Sequence, residues 1–319
     1  MMDAQAEILT VTLNPAVDMA THVAQAVAGP KLRCADPRLD PGGGGVNVAR
    51  AVCKLGGSAH ALVAVGGTMG DRLVQLLADE GVPAFPVQVS GETRLSFAVT
   101  DDSSGAQYRF SVPGQPLTLA DGARLLTEIV RRTPQEAFVV ISGSVAPGLP
   151  DDFQTQIMAA LAPKHARVVI DTSSRALDWL IGHPTIPVDV LRVDQTEAAE
   201  AATHPMTTIA DSVAFAADLV ARGVAKTVVT GRGAEGSVLV SADHRFFCHA
   251  PVVQVRSKIG AGDALVGAMT LALARGATPE TALQWGVAAA SATVSTDATA
   301  LCDLAQAQAC FDLCQLEQL

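Results

Sequence analysis

Aromatic side chains are scarce in this chain, at 4% of 319 residues, while Ala, Val, Leu and Gly dominate. That shortage disfavours a sandwich of aromatic-rich hairpins and suits helices packed on parallel strands. Positive charge is short as well: 22 Lys and Arg face 32 Asp and Glu, a net charge of −10. That balance argues against a nucleic-acid partner, because phosphate backbones are bound by an excess of Lys and Arg. A small phosphorylated ligand, which needs only a few local cations, is not excluded. No uninterrupted apolar run reaches the length of a membrane span, so no membrane partner is expected. The opening Met1-Met2-Asp3-Ala4-Gln5-Ala6-Glu7 lacks the charged-then-apolar layout of a secretory leader. Cys34, Cys53, Cys248, Cys302, Cys310 and Cys314 are scattered, and no second pair or nearby His joins Cys310 and Cys314 in a zinc site. Reduced thiols in a cytoplasmic protein are the expectation. Charged residues make up only 17% against 49% hydrophobic, which excludes disorder and predicts a well-filled core.

What is present is an alternation. Ala61–Val65, Ala137–Ile141, Arg167–Ile170 and Thr227–Thr230 are short apolar runs of the kind covered on both sheet faces. Between them lie helical stretches at Gly45–Leu55, Asp71–Glu80, Leu119–Arg132, Asp151–Ala162 and Asp211–Arg222. Strands alternating with helices predict an α/β fold with a mostly parallel central sheet and helices on both faces. Two segments break the rhythm, 18–41 and 93–113. In the second, Leu95–Thr100 and Gln107–Val112 flank the turn residues Asp101-Asp102-Ser103-Ser104-Gly105, which reads as a hairpin. Both segments predict a small β-sheet lid projecting from a main domain of residues 1–17, 42–92 and 114–319. With no Pro/Ser tract and no repeat, no sequential division of the chain is expected.

Two glycine-rich loops carry the chemistry. In Ile259-Gly260-Ala261-Gly262-Asp263, the glycines let the backbone approach a ligand, and a helix starting near Asp263 presents unpaired N–H groups. Such a start attracts anions, while an aspartate on it can take a proton from a hydroxyl as the amides hold a transferring phosphoryl group. An ordinary turn with Asp263 as helix N-cap is the alternative. The other loop is Pro41-Gly42-Gly43-Gly44-Gly45-Val46-Asn47-Val48-Ala49-Arg50. Four consecutive glycines imply close backbone contact, and Asn47, one turn into the next helix, can donate to a sugar or phosphate. A flexible hinge is the competing explanation. Lys31, Arg33, Arg94 and Arg109 fall in or beside the lid segments, a cationic cluster in an acidic protein where a dianion can sit.

The Gly-Gly-Gly-Gly-Val-Asn-Val-Ala-Arg stretch together with Gly-Ala-Gly-Asp resembles the ribokinase family of sugar kinases, over nearly the whole chain. Thr12-Leu13-Asn14-Pro15-Ala16-Val17-Asp18 resembles its phosphosugar branch, which includes 1-phosphofructokinase, tagatose-6-phosphate kinase and the minor bacterial 6-phosphofructokinase. Lys31–Cys34, Pro41–Gly45, Gln107–Phe110, Ile141–Ser144 and Val266–Leu271 are similar to the last of these. Relatives that act on fructose 1-phosphate or tagatose 6-phosphate usually carry a lysine where Gly44 stands, which favours the 6-phosphofructokinase branch. The resemblance implies a ribokinase-like fold and ATP-dependent phosphorylation of a sugar phosphate, fructose 6-phosphate before the other two. It implies Asp263 as the base and the Gly260, Ala261 and Gly262 amides as anion stabilisers. Asp18 and the Gly43–Gly44 backbone would bind sugar hydroxyls, and Lys31, Arg33, Asn47, Arg94 and Arg109 would surround the phosphate with Ser144 nearby. Two lids clasping into a homodimer are also implied.

The nucleotide half departs from the pattern. Where the family shows Lys-Pro-Asn-x-x-Glu, this chain has Arg192-Val193-Asp194-Gln195-Thr196-Glu197. Glu197 keeps its carboxylate for Mg²⁺, whereas Asp194 either ligates Mg²⁺ or repels the triphosphate. Gly231 replaces a Ser or Thr, Gly233 and Gly236 follow in the same loop, and Lys258 replaces a Thr. Lys258 and Arg232 add positive charge that would offset Asp194. The family's K⁺ site near Ser257, Ile259, Thr293, Thr296, Ala298 and Ala300 rests on backbone carbonyls, so side-chain identity does not decide its presence. These substitutions leave open a homologue that binds sugar phosphate with little transfer. A dinucleotide-binding oxidoreductase is rejected, because no Gly-x-Gly-x-x-Gly follows the first strand with an acidic residue about 20 positions on.

Overall fold

The computed structural model describes residues 5–319. Its first strand, β1 (Ile8–Thr12), is buried throughout and leads into β2 (Ala16–Val23), β3 (Arg38–Gly42) and the glycine-started helix α1 (Gly44–Lys54). Next come β4 (His60–Val65), α2 (Gly67–Asp79), β5 (Ala84–Gln88), β6 (Arg94–Asp101) and β7 (Gln107–Ser111). The repeating unit then resumes as α3 (Leu119–Arg132), β8 (Phe138–Ser142), α4 (Phe153–Leu161), β9 (Arg167–Asp171), α5 (Ser174–Gly182) and β10 (Val188–Val193). After α6 (Gln195–Ala202), α7 (Ile209–Ala221) and β11 (Ala225–Gly231) the chain folds back through β12 (Gly236–Ser241) and β13 (Arg245–His249). It closes with α8 (Ala261–Ala274), α9 (Pro279–Thr293), α10 (Leu304–Phe311) and β14 (Gln315–Gln318).

Ten strands form one sheet in the order β14-β13-β12-β11-β10-β9-β8-β1-β4-β5. From β5 to β11 every pair is parallel, and β12, β13 and β14 add an antiparallel edge. Alternation along each strand divides the core. Ile8, Val63, Val140, Val169 and Val229 face α1, α2, α8, α9 and α10, while Leu9, Leu62, Val139, Ile170 and Val228 face α3, α4, α6 and α7. Both faces are thus covered, which is why the parallel strands read as continuous apolar runs. The mostly parallel sheet with helices on both faces, expected from the sequence, is the observed fold.

The interrupting segments form a second sheet, β3-β2-β6-β7. The hairpin pairs Ser96 with Ser111 and Thr100 with Gln107, turning at the Asp101 to Gly105 stretch. Asp101 fixes that turn by accepting bonds from the Ser103 N–H and hydroxyl at 2.8 and 2.7 Å. β2 runs parallel to β6, from Ala16 beside Arg94 to Val23 beside Asp101. This register brings Asp18 and Arg94, distant in sequence, to the same end of the small sheet. The end of β1 and the start of β2 are three residues apart, so that end lies at the mouth of the large sheet.

Among the described residues, no helix is long and apolar enough to cross a membrane.

Candidate active site

The parallel strands end on one edge at Thr12, Ser142, Asp171, Val193 and Gly231. Ligands of open α/β sheets bind at such carboxyl ends. The first loop to cross this edge is Gly43-Gly44-Gly45. A Cβ on Gly44 would meet the Ser142 hydroxyl, with the Gly143 N–H at 2.6 Å, and one on Gly45 would meet the Val11 carbonyl at 2.6 Å. The glycines therefore seat α1 directly on the ends of β1 and β8, which is a packing demand and excludes a free hinge.

α8 starts on the same edge. Its N-cap is Gly260 at φ 77°, with no side chain capping the first turn. Asp263 is consequently not the cap; it lies in the first turn, where it accepts a 2.9 Å hydrogen bond from Asn47 Nδ2. Burial, and next the charge of Asp171, push its carboxyl up to about 7, against the lowering influence of Asn47 and Arg192. A buried carboxylate poised near neutrality beside unpaired helix N–H groups can take a hydroxyl proton while those amides hold developing negative charge.

Toward the small sheet, Asp18 abuts the Gly42 backbone so closely that any Cβ there would collide with its carboxylate. Burial raises Asp18 to about 6, opposed by Arg94 and Arg50. Arg94 donates to Ser111 Oγ at 3.0 Å, the Val112 carbonyl at 3.3 Å and the Asn14 carbonyl at 3.3 Å, and burial lowers its pKa. Asn14 in turn donates to Ser144 Oγ at 3.0 Å. Asp18, Arg94 and Ser144 thus form one polar group. Lys31 and Arg33 lie on the exposed connection between β2 and β3, and Arg109 is exposed on β7. None of these three forms an ion pair among the described residues. Asn47 stands apart from the expected phosphate cluster, since its amide is spent on Asp263.

Toward the other side, Arg192 donates to Asp171 Oδ1 at 3.1 Å, and its guanidinium lies where a Cβ on Gly262 would meet it at 3.0 Å. Asp194 is the N-cap of α6. Its Oδ1 accepts from the Thr196 and Glu197 N–H groups at 2.8 Å each, while Glu197 Oε2 accepts from the Asp194 N–H at 2.7 Å. This capping box explains why an Asp is tolerated beside a second carboxylate. Burial lifts Glu197 to about 7, with the Asp194 and Asp171 charges adding to it. A cavity of about 370 Å³ continues from here, lined by Gly231, Gly233, Gly236, Val253, Lys258 and Val287 among others.

Arg232 differs from the sequence expectation. Its side chain is buried and donates to the Thr207 and Thr208 carbonyls at 3.0 and 2.8 Å and to Ser212 Oγ at 2.7 Å. It staples the loop before α7 and does not offset Asp194. Asp171, in contrast, was not anticipated. It ends β9, is buried, and joins Ser142, Arg192 and Asp263. The available signal was a carboxylate closing the apolar run Arg167-Val168-Val169-Ile170-Asp171 at a strand's carboxyl end.

Residues 11–306 match the model of the pfkB family of carbohydrate kinases. The chain belongs to that family. It is 40% identical over 295 residues to ATP-dependent 6-phosphofructokinase isozyme 2 of Escherichia coli K12, covering 92% of this chain and 94% of the relative. The crystal structure of Escherichia coli phosphofructokinase-2 in complex with potassium superposes with a TM-score of 0.92 at 37% identity, over 97% of this chain and 99% of that one. A second structure, the tetrameric inhibited form of the same enzyme, gives 0.90 at 36% identity, over 97% and 99%. The tetramer corrects the expected homodimer. A single two-fold clasp between lids accounts for two copies only, and four copies require a further contact surface.

Proposed function

We propose that this chain transfers the γ-phosphoryl group of ATP to the O1 hydroxyl of fructose 6-phosphate, giving fructose 1,6-bisphosphate and ADP. The observation that carries this reading is Asp263, held by Asn47 on the uncapped start of α8, with the Asp18–Arg94 group on one side and the Arg192 cavity on the other. In the step, the O1 proton passes to Asp263 as the O1–phosphorus bond forms and the bond from phosphorus to the ADP oxygen breaks. The Ala261 and Gly262 amides and Arg192 face the charge on the phosphoryl oxygens. Asp18 binds sugar hydroxyls, and Arg94 with the exposed Lys31, Arg33 and Arg109 binds the phosphate already on the sugar. The small sheet, residues 18–41 and 93–113, serves as the lid, and the remaining segments form the main domain. Gly231, Gly233, Gly236 and Lys258 line the nucleotide side.

Asp194 and Glu197 each retain one carboxylate oxygen that the capping box does not use, and their mutual repulsion is the condition a divalent cation relieves. Mg²⁺ held there supplies charge neutralisation on the donor phosphates. For K⁺, the Thr293 and Ala300 carbonyls converge on the Thr296 hydroxyl, and Ala298 takes a left-handed conformation, φ 50°. These residues fit a monovalent cation held by backbone oxygens.

Gly44 favours fructose 6-phosphate over fructose 1-phosphate or tagatose 6-phosphate as acceptor. A lysine there would drive its Cβ into Ser142 and Gly143. The test is turnover on these three sugars and on unphosphorylated fructose and ribose. Fructose 6-phosphate is expected to show the highest kcat/KM. A preference for an unphosphorylated sugar would remove the phosphate role of Lys31, Arg94 and Arg109.

A further inference from the structure

The largest fully buried side chain among the described residues is a cation, Arg50, 1% exposed, on α1. Its Nε and Nη2 grip both oxygens of Glu80 at 2.8 and 2.6 Å, a bidentate pair whose carboxylate reaches the surface at the end of α2. Its Nη1 points the other way, to Asn47 Oδ1 at 3.0 Å, the Pro41 carbonyl at 3.1 Å and the Thr299 carbonyl at 3.4 Å. Pro41 belongs to β3 of the small sheet. Asp40 of the same strand lies 4.0 Å from the guanidinium and also accepts the Thr299 hydroxyl. Arg50 therefore joins the small sheet, the segment after α9 and the amide that holds Asp263.

The Asn47 amide has two ends of opposite sense. Nδ2 donates to Asp263, and Oδ1 accepts from Arg50. Rotated by half a turn, the amide would aim its oxygen at the Asp263 carboxylate, replacing an attraction by a repulsion. Arg50 is a donor only and cannot be deprotonated in a protein, so it accepts one orientation of the amide and rejects the other. Glu80 fixes the guanidinium from behind and balances its charge, which a buried arginine needs.

We propose that Arg50 is a positioning residue for phosphoryl transfer: through Asn47 it locks the amide donor onto Asp263, and it ties that donor to β3 of the small sheet. The proposal rests on Asp263 as the base. The groups that set the Asp263 titration besides Asn47 are Asp171, Asp18 and Arg192. Of these Arg50→Ala alters only Asp18, whose pKa it raises; a less charged Asp18 lowers the Asp263 midpoint, opposite to the effect of losing the Asn47 bond. Loss of the lock is thus expected to appear as an upward move of the Asp263 midpoint, because the lowering hydrogen bond from Asn47 is no longer enforced.

The experiment compares wild type, Arg50→Ala and Glu80→Gln in the full chain, with the Asp263 carboxyl titration followed by ¹³C NMR alongside kinetics on fructose 6-phosphate and ATP. Arg50→Ala is expected to lower kcat by on the order of tenfold or more with the KM for ATP unchanged. Guanidinium ion, entering the cleft of about 440 Å³ beside Arg50 and Glu80, is expected to restore part of the rate where ammonium does not. If Arg50→Ala does not fold, Glu80→Gln, at a partly exposed position, is expected to raise the Asp263 midpoint in the same direction by less. An unmoved midpoint in a folded variant overturns the proposal, whatever the activity. A midpoint that moves in a protein with no wild-type turnover leaves the lock standing and removes the kinase reading instead.

Discussion

At the proposed sugar end of the cleft, Lys31, Arg33 and Arg109 are exposed and without carboxylate partners among the described residues, and Arg94 is bonded only to neutral oxygens. At the nucleotide end almost every charge is already engaged: Arg192 with Asp171, Asp194 with Glu197 in a cap, Arg232 with the α6–α7 loop. Under the proposed function, the contrast follows from what each end must do. Cations awaiting a dianion are left unpaired, so an incoming phosphate has no internal carboxylate to displace. Carboxylates beside a polyphosphate would repel it if free, so they are tied to backbone N–H groups and a guanidinium. One end gains charge balance from its ligand, and the other is organised before the ligand arrives.

Asp263 stands between the two ends, and its replacement is expected to have the largest effect. Asp263→Asn should lower kcat by about a hundredfold or more while sugar binding, measured by calorimetry, is unchanged. The same variant should be more stable than wild type at pH 8. The Asp263 pKa is raised on folding, from 3.8 to about 7, so its favourable contribution is complete below about pH 4 and is lost as pH rises through 7. Asparagine does not ionise and keeps that contribution, worth on the order of 2 kcal/mol once water in the cleft is allowed for. Thermal melts at pH 5 and pH 8 check this, and equal midpoints for both proteins at pH 8 would contradict it. In wild type, kcat should fall about tenfold per unit below pH 7, because a protonated Asp263 cannot accept the hydroxyl proton.

Arg94 sharpens the comparison at the sugar end. Arg94→Ala should raise the KM for fructose 6-phosphate by about tenfold to a hundredfold, the scale of a lost charge-assisted contact, and leave the KM for ATP unchanged. It should also raise the Asp18 pKa above its value of about 6, since Arg94 is the largest influence lowering it. A matching rise in the KM for ATP would mean that the ends are not separable.

Much of the fold was legible because both sheet faces are covered: the strands at His60–Val65 and Phe138–Ser142 are apolar runs with few interruptions. β10 was less legible, because Asp189 and Arg192 interrupt Val188–Val193. The two loop glycine clusters pointed to the right edge of the sheet. The partners of their neighbours were hidden, since Asn47 meets Asp263 across 216 residues and Thr299 meets Arg50 across 249. Arg232 was misplaced for the same reason: the carbonyls that bind it belong to residues 206–208, whose backbone path no local pattern reveals.

Asp194 should give the smallest effect, and an opposite sign. Where the family pattern has asparagine, this chain has a carboxylate that caps α6 and raises the Glu197 pKa. Asparagine is an equally good N-cap, so Asp194→Asn should preserve the bonds from the Thr196 and Glu197 N–H groups and cost little stability. It removes one negative charge from beside the donor phosphates and from beside Glu197, which should then titrate lower and stay ionised across neutral pH. The KM for ATP is expected to fall by about two- to fivefold with kcat nearly unchanged, a shift of roughly 0.5–1 kcal/mol suited to a partly solvated charge. The decisive measurement is the KM for ATP at several Mg²⁺ concentrations. If Asp194 acts chiefly by holding Mg²⁺, the variant will instead need more Mg²⁺ for half-maximal rate. That outcome would make the carboxylate a working part of the nucleotide end, where the comparison treats it as a tolerated cap.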